Sequence, residues 1–180
     1  MRVITFNANG IRSAASKGFF DWLAGQDADL VCVQETRAQS HQLPIEPYHP
    51  AGYCCHYHDA ERKGYSGVAL YARREPDEIL TGLGWPECDA EGRWLEARFG
   101  PLSVASLYLP SGSSSPERQL VKFNFMAQLA EPLRAMRASG RNYLLCGDWN
   151  IAAMTRRASL RSTAAMISCT GCARSARCKN

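Results

Sequence analysis

The chain has 180 residues, with 21 Lys/Arg against 17 Asp/Glu and a formal net charge of +4. That length suits one domain with a substantial core rather than two, and the absence of any run of eighteen apolar residues excludes a membrane-spanning helix. The charge is uneven: six cations (Arg156, Arg157, Arg161, Arg174, Arg177, Lys179) follow Ile151 with no acid and no histidine, so the basic balance belongs to that stretch and is not the footprint of a domain-wide nucleic-acid surface.

Met1-Arg2-Val3-Ile4-Thr5-Phe6 meets a polar residue at Asn7, too soon for a signal peptide. Val3 to Phe6 reads as a short strand that ends in the turn cluster Asn7-Ala8-Asn9-Gly10. A helix is predicted from about Ala14 to Ala24, with Phe19, Phe20 and Leu23 on its apolar side, and Asp27-Ala28-Asp29 ends it. Leu30-Val31-Cys32-Val33 is a continuous apolar run, as expected of a strand buried on both faces. It delivers Gln34 and Glu35 at its carboxyl end. Strand-like stretches follow near 53–58, 67–72, 93–99 and 102–109, with Gly and Pro between them. Ser115-Pro116 supplies an N-cap and a proline at the first helical position. Val121, Phe125, Leu129, Leu133 and Met136 then mark a long amphipathic helix, with Pro132 a candidate kink and Gly140 at its end. Tyr143-Leu144-Leu145-Cys146 is a further buried strand ending at Asp148.

The eight cysteines do not read as a disulfide framework. Cys32 and Cys146 lie inside apolar runs, where a free thiol behaves as a small hydrophobe. Cys54 and Cys55 are adjacent and on a strand would face opposite ways. Cys169-x-x-Cys172 with Cys178 lacks a second pair and a nearby His, so it is an incomplete zinc signature. A reduced, cytoplasmic setting is the simplest expectation.

Three apolar strands thus end in oxygen-bearing groups: Asn7, Glu35, and Asp148 with Asn150. In α/β folds ligand sites gather at the carboxyl ends of strands, so these residues are expected to converge. They are hard oxygen donors that suit Mg²⁺ or Mn²⁺ rather than zinc. Such an ion polarises a phosphodiester and stabilises the leaving oxygen, and Asp148 also suits activation of the attacking water. Tyr108, at the end of Val104-Ala105-Ser106-Leu107-Tyr108, is either a strand-end aromatic packed on the core or a phenol that hydrogen-bonds a phosphate. Arg62-Lys63-Gly64-Tyr65-Ser66-Gly67 is either a solvated hairpin loop or a cationic loop that touches a phosphate backbone. Arg93, after Glu91-Gly92, is equally ambiguous.

Asn7-x-Asn9-Gly10-Ile11-Arg12-Ser13, Val33-Gln34-Glu35-Thr36, Lys63-Gly64-Tyr65-Ser66-Gly67-Val68, Gly92-Arg93, Tyr108-Leu109-Pro110-Ser111-Gly112 and Gly147-Asp148-Trp149-Asn150-Ile151-Ala152 stand in the order seen in the exonuclease III family. Over residues 1–152 the chain resembles these bacterial apurinic/apyrimidinic endonucleases of the endonuclease/exonuclease/phosphatase superfamily. The Gly-Asp-x-Asn element also occurs in phosphatases and sphingomyelinases of the superfamily, whereas the Gly-Tyr-Ser-Gly-Val loop and Asp-Trp-Asn-Ile-Ala favour the DNA-repair branch. The resemblance implies a four-layer α/β sandwich of two packed mixed sheets, here its N-terminal half or slightly more. It implies Mg²⁺-dependent cleavage of double-stranded DNA on the 5′ side of an abasic site, with 3′→5′ exonuclease and 3′-phosphatase activity; a monomer is expected. By position it makes Asn7, Glu35, Asp148 and Asn150 metal-site residues and Tyr108 the tyrosine near the phosphate. Asp148 becomes the proton acceptor or donor and Asn150 the residue that orients water and phosphate. Arg62, Lys63, Tyr65 and Arg93 become DNA contacts.

Members of that family run well beyond this length, and their second half supplies a further Asp and a Ser-Asp-His element. From Ile151 onward this chain has no Asp, Glu, His, Val, Phe, Tyr, Trp or Pro. The sequence therefore predicts an incomplete domain over 1–152. It predicts a basic, acid-free tail over 153–180 of out-of-frame or disordered character, and impaired hydrolysis. The alternatives are a metal-dependent phosphatase of the same superfamily and a catalytically dead fragment that binds DNA.

Overall fold

The computed structural model describes residues 1–151 and the backbone of 165–169. The described elements, in chain order, are β1 (Val3–Asn7), α1 (Ile11–Ser16), α2 (Phe19–Ala24), β2 (Leu30–Gln34), α3 (Ile45–Tyr48), β3 (Cys54–His58), β4 (Val68–Ala72), β5 (Glu78–Thr81), α4 (Pro86–Ala90), β6 (Trp94–Phe99), β7 (Leu102–Tyr108), α5 (Pro116–Ala138), β8 (Asn142–Asp148) and β9 (Ala165–Cys169). One sheet has the order β1-β2-β4-β3 and the other β5-β6-β7-β8-β9. Each mixes orientations: β1 and β2 are parallel, as are β7 and β8, and the remaining pairs are antiparallel.

Alternation along the strands builds the layers. In β2, Leu30 and Cys32 face a core between the sheets with Val68, Leu70, Ala72, Leu95, Ala97, Val104 and Cys146. Val31 and Val33 face the other way, where α1 and α2 lay Ile11, Ala14, Phe19, Phe20 and Leu23 over the first sheet. On the far side α5 lays Phe125 and Leu129 over Ala105, Leu107 and Leu145 of the second sheet. The result is helix, sheet, sheet, helix: the four-layer α/β sandwich that the sequence resemblance implies. It also explains why β4 and the first four residues of β2 are apolar, since both faces of each strand are covered.

Where local expectations differ from the structure, the reason is local. The helix expected from about Ala14 to Ala24 is two helices, because Gly18 takes a left-handed φ of 82° between them and so ends one turn ladder before the next begins. Helix α5 begins as expected, Ser115 Oγ accepting from Arg118 N at 3.3 Å, and it runs on through Pro132. The edge strand β5 and the short α4 carry too few patterned residues to announce themselves. Within the stretch expected to be an unpatterned tail, Ala165–Cys169 pairs antiparallel with β8; the open edge of β8 offers backbone groups that any extended segment can satisfy. The remainder of the tail expectation lies outside the described residues. Cys32, Cys54, Cys55, Cys88 and Cys146 are free thiols, and no helix among the described residues is long and apolar enough to cross a membrane.

The core between the sheets sets stability. Leu70 is fully buried there, whereas Leu120 on α5 is 60% exposed. Leu70→Ala is expected to lower the unfolding free energy by about 2–5 kcal/mol, and Leu120→Ala to change it by no more than about 0.5 kcal/mol. Urea denaturation of the two variants against the parent chain measures both.

Candidate active site

Parallel pairing brings the site together. Strands β1 and β2 send their carboxyl ends to one edge of the first sheet, and β7 and β8 do the same in the second, with Tyr108 and Asp148 as register partners. Asn7 closes β1, Glu35 follows β2, and Asp148 closes β8. Asn7 Nδ2 donates to Glu35 Oε1 at 2.7 Å and to Asp148 Oδ2 at 2.8 Å. One amide nitrogen therefore touches carboxylates belonging to different sheets. Asn7 Oδ1 accepts from Asn9 N at 2.9 Å, which fixes the orientation of that amide.

Each carboxylate has further partners. Glu35 Oε2 accepts from the Arg37 guanidinium, and the Glu35 charge helps to raise the pKa of the Tyr108 phenol. Asp148 Oδ1 accepts from Asn150 N at 2.9 Å, the side-chain turn that Asp favours. Asn150 Nδ2 donates to Leu109 O at 2.8 Å, and the Lys122 ammonium reaches the Asn150 carbonyl. Asn150 is thus tied to the end of β7 and to α5. Beneath the site a buried polar chain joins the sheets: Thr5 Oγ1 donates to Gln34 Oε1 at 3.2 Å, Gln34 Nε2 to Ser106 Oγ at 3.0 Å, and Ser106 Oγ to Val33 O at 3.1 Å.

The backbone at this mouth is held out of its ordinary wells. Asn9, Glu35, Arg37, Ser66 and Asn150 all have positive φ, between 44° and 55°. Asn tolerates this; for Glu35 and Arg37 it costs on the order of 1–3 kcal/mol each and persists only where the surroundings impose it. Here Gly10 N and Ile11 N donate to the carbonyls of Glu35 and Thr36 at 2.8 Å, and Arg37 N donates to Ser66 O at 2.8 Å. Three loops therefore share the conformation of the Glu35 turn.

The donors gathered at the mouth are oxygens. No group of three or more His, Cys, Asp or Glu positioned to hold a metal occurs among the described residues. Mg²⁺ keeps several waters and is held through one or two carboxylates plus substrate phosphates, and Glu35 and Asp148 are the two carboxylates that would hold such an ion.

The four residues implied as DNA contacts divide. Arg62 and Lys63 are exposed and Tyr65 is half-buried, with the Arg62 guanidinium 5.4 Å from the Tyr65 ring centroid. Arg93 is buried, its side chain 2% exposed, and its guanidinium is spent on Glu91, Tyr108 O and the Tyr65 hydroxyl. It lies under the loop rather than on the surface a DNA backbone could reach. Arg37 and Lys122 were not marked by the sequence. Arg37 left one signal, a cation two positions beyond Glu35; Lys122 left none, being 28 residues from its partner in the chain.

A four-layer sandwich with its polar groups at the carboxyl ends of two parallel strand pairs defines the class. The chain belongs to the endonuclease/exonuclease/phosphatase family, whose model matches residues 4–165. It is 32% identical over 153 residues to an exodeoxyribonuclease of Bacillus subtilis, covering 84% of this chain and 59% of that protein. Exodeoxyribonuclease III of Haemophilus influenzae is 31% identical over 157 residues, with 84% and 58% covered. Among solved structures, an AP endonuclease from Archaeoglobus fulgidus superposes with a TM-score of 0.73 at 28% identity, covering 84% of this chain and 58% of that one. A 3′-5′ exonuclease from Neisseria meningitidis gives 0.73 at 26%, with 84% and 59% covered. The chain thus spans less than two thirds of the length of these relatives.

Tyr108 gives the site a measurable signature. Burial pushes its phenol well above the ordinary value near 10, the Glu35 charge adds to the rise, and Arg93 opposes it. The folded phenol therefore keeps its proton where the unfolded one loses it, so its contribution to stability is complete below about pH 10 and declines as pH rises further. Urea midpoints measured between pH 9 and about pH 11 should fall less steeply in Tyr108→Phe than in the parent chain.

Proposed function

We propose that the chain carries the catalytic face of an exonuclease III-type DNA-repair nuclease, hydrolysing phosphodiesters at abasic sites and 3′ ends of double-stranded DNA with Mg²⁺ or Mn²⁺. The observation that carries this reading is the Asn7 amide shared by Glu35 and Asp148, 2.7 and 2.8 Å away. It holds two hard carboxylates at one point on a mouth flanked by an exposed cationic loop, Arg62-Lys63.

The residues take complementary tasks. Glu35 and Asp148 would hold the cation, with Asn7 keeping them together, and the bound ion would supply Lewis-acid polarisation of the phosphodiester and charge stabilisation at the leaving oxygen. Asp148 is the group placed to take a proton from the attacking water, and its bond from Asn150 N fixes the carboxylate plane for that purpose. Tyr108 keeps its proton, since burial and Glu35 both favour the neutral phenol, so it is a donor suited to a phosphate oxygen. Arg62, Lys63 and Tyr65 meet the DNA backbone, contacts that position a duplex without reading sequence. The described site brings no imidazole and no third carboxylate to the phosphate, and the proposal accordingly expects slow incision.

The test is incision of a duplex carrying one abasic analogue in the presence of Mg²⁺, beside hydrolysis of a small phosphomonoester. Asp148→Asn is expected to lower incision by roughly 10²–10⁴-fold, the usual contribution of a general base. Phosphomonoester turnover without incision would replace the proposal with the phosphatase reading. Duplex binding with no Mg²⁺-dependent turnover would reduce the chain to a DNA-binding fragment.

A further inference from the structure

Arg93 stands immediately before β6, in a turn pressed against the cationic loop. Gly92 there has φ 56°, and a Cβ on it would meet His58 O at 2.4 Å, so only glycine lets the two backbones approach this closely. Glu61 N donates to Ala90 O at 2.8 Å across the same contact. The Arg93 side chain enters the space between two tyrosines. Its Nε donates to Glu91 Oε2 at 2.5 Å, Nη1 to the Tyr108 carbonyl at 2.9 Å and Nη2 to the Tyr65 hydroxyl at 3.1 Å. The guanidinium carbon lies 4.8 Å from the Tyr108 ring centroid and 5.8 Å from that of Tyr65. From the other side Arg118, in the first turn of α5, donates to the same Tyr65 hydroxyl at 3.4 Å.

We infer that Arg93 is a positioning residue which holds Tyr65 of the cationic loop and Tyr108 of the active site as one mechanical unit, so that a duplex engaging the loop also sets Tyr108 against Glu35. The inference rests on the proposed DNA-cleaving reading for its purpose, though the coupling itself is a property of the chain. A buried cation that served only packing would need its charge balanced, and Glu91 alone does that. The other two donor directions are spent on groups at the two ends of the site. Lysine keeps the charge but is a point donor without the planar fork, so it cannot serve both tyrosines at fixed angles.

The experiment combines ¹³Cζ-tyrosine NMR with fluorescence anisotropy on a labelled duplex carrying an abasic analogue. It uses the full chain, Tyr65→Phe, Arg93→Lys and the double variant. Tyr65→Phe, which removes one half-buried hydroxyl, should shift the Tyr108 resonance. Arg93→Lys should shift both tyrosines and weaken duplex binding by about tenfold, and adding Tyr65→Phe to it should weaken binding by no more than about twofold further, the non-additivity of coupled sites. A Tyr108 resonance unmoved by Tyr65→Phe, or binding losses that multiply in the double variant, would overturn the inference. If Arg93→Lys fails to fold, Tyr65→Phe decides alone. A parent chain that does not bind the duplex sinks the DNA reading, while the response of Tyr108 to Tyr65→Phe still decides the coupling.

Discussion

The contact on which the rest of the site depends is the amide of Asn7. Two carboxylates at one half-buried mouth repel each other. Asn7 Nδ2 donates to both, at 2.7 and 2.8 Å, and the Arg37 guanidinium lies against the outer oxygen of Glu35. A neutral donor shared between the carboxylates holds them in place. That arrangement only exists if β1 in one sheet and β8 in the other end at the same height. The stacking of the sheets is therefore as much a part of the site as the side chains.

That height is set by the interior. Leu70, Leu95, Val104 and Cys146 pack between the sheets with no exposed surface, and closely packed interiors transmit shifts rather than absorb them. The Gln34–Ser106–Val33 chain adds direction to this apolar contact. It is a satisfied hydrogen-bond path from β2 to β7 directly below Glu35 and Tyr108. Sliding one sheet on the other would break that path, and a buried amide left unpaired costs about 1–3 kcal/mol. The penalty fixes register as well as stability, which is what a site assembled from both sheets requires. Strained turns at Glu35 and Arg37 are tolerable for the same reason, since neighbouring loops hydrogen-bond them into shape.

Much of this was legible in the chain itself. Leu30-Val31-Cys32-Val33 announced a strand covered on both faces, and the structure covers it with α1 and α2 on one side and the second sheet on the other. The recurrence of Asn7, Glu35 and Asp148 after apolar strands pointed to one mouth because parallel strands put like ends together. Other features carried no sequence signal, for physical reasons. Strand β5 is a half-exposed edge, so no apolar alternation marks it. The division between α1 and α2 depends on one glycine within an otherwise continuous apolar pattern. Lys122 and Arg118 reach the site from α5 through folding alone, and nothing local to them in sequence distinguishes them from solvated helix cations.

Arg93 shows where residue type stops being informative and burial takes over. Beside a Gly-Tyr-Ser-Gly loop, an arginine reads naturally as one more phosphate contact, equivalent to Arg62 and Lys63. The difference between them is that Arg62 and Lys63 face water, whereas Arg93 is 2% exposed with Glu91 at 2.5 Å. An exposed cation attracts DNA through long-range charge that salt screens, at little cost in structure. A buried one has already lost its hydration, and a carboxylate and aligned acceptors replace the lost water. Its contribution then lies in the directions of its hydrogen bonds, which here end on Tyr65 and Tyr108. Replacing it with lysine would leave net charge unchanged while removing the fork, so a charge-based reading of the loop and a geometric one assign opposite importance to the same substitution.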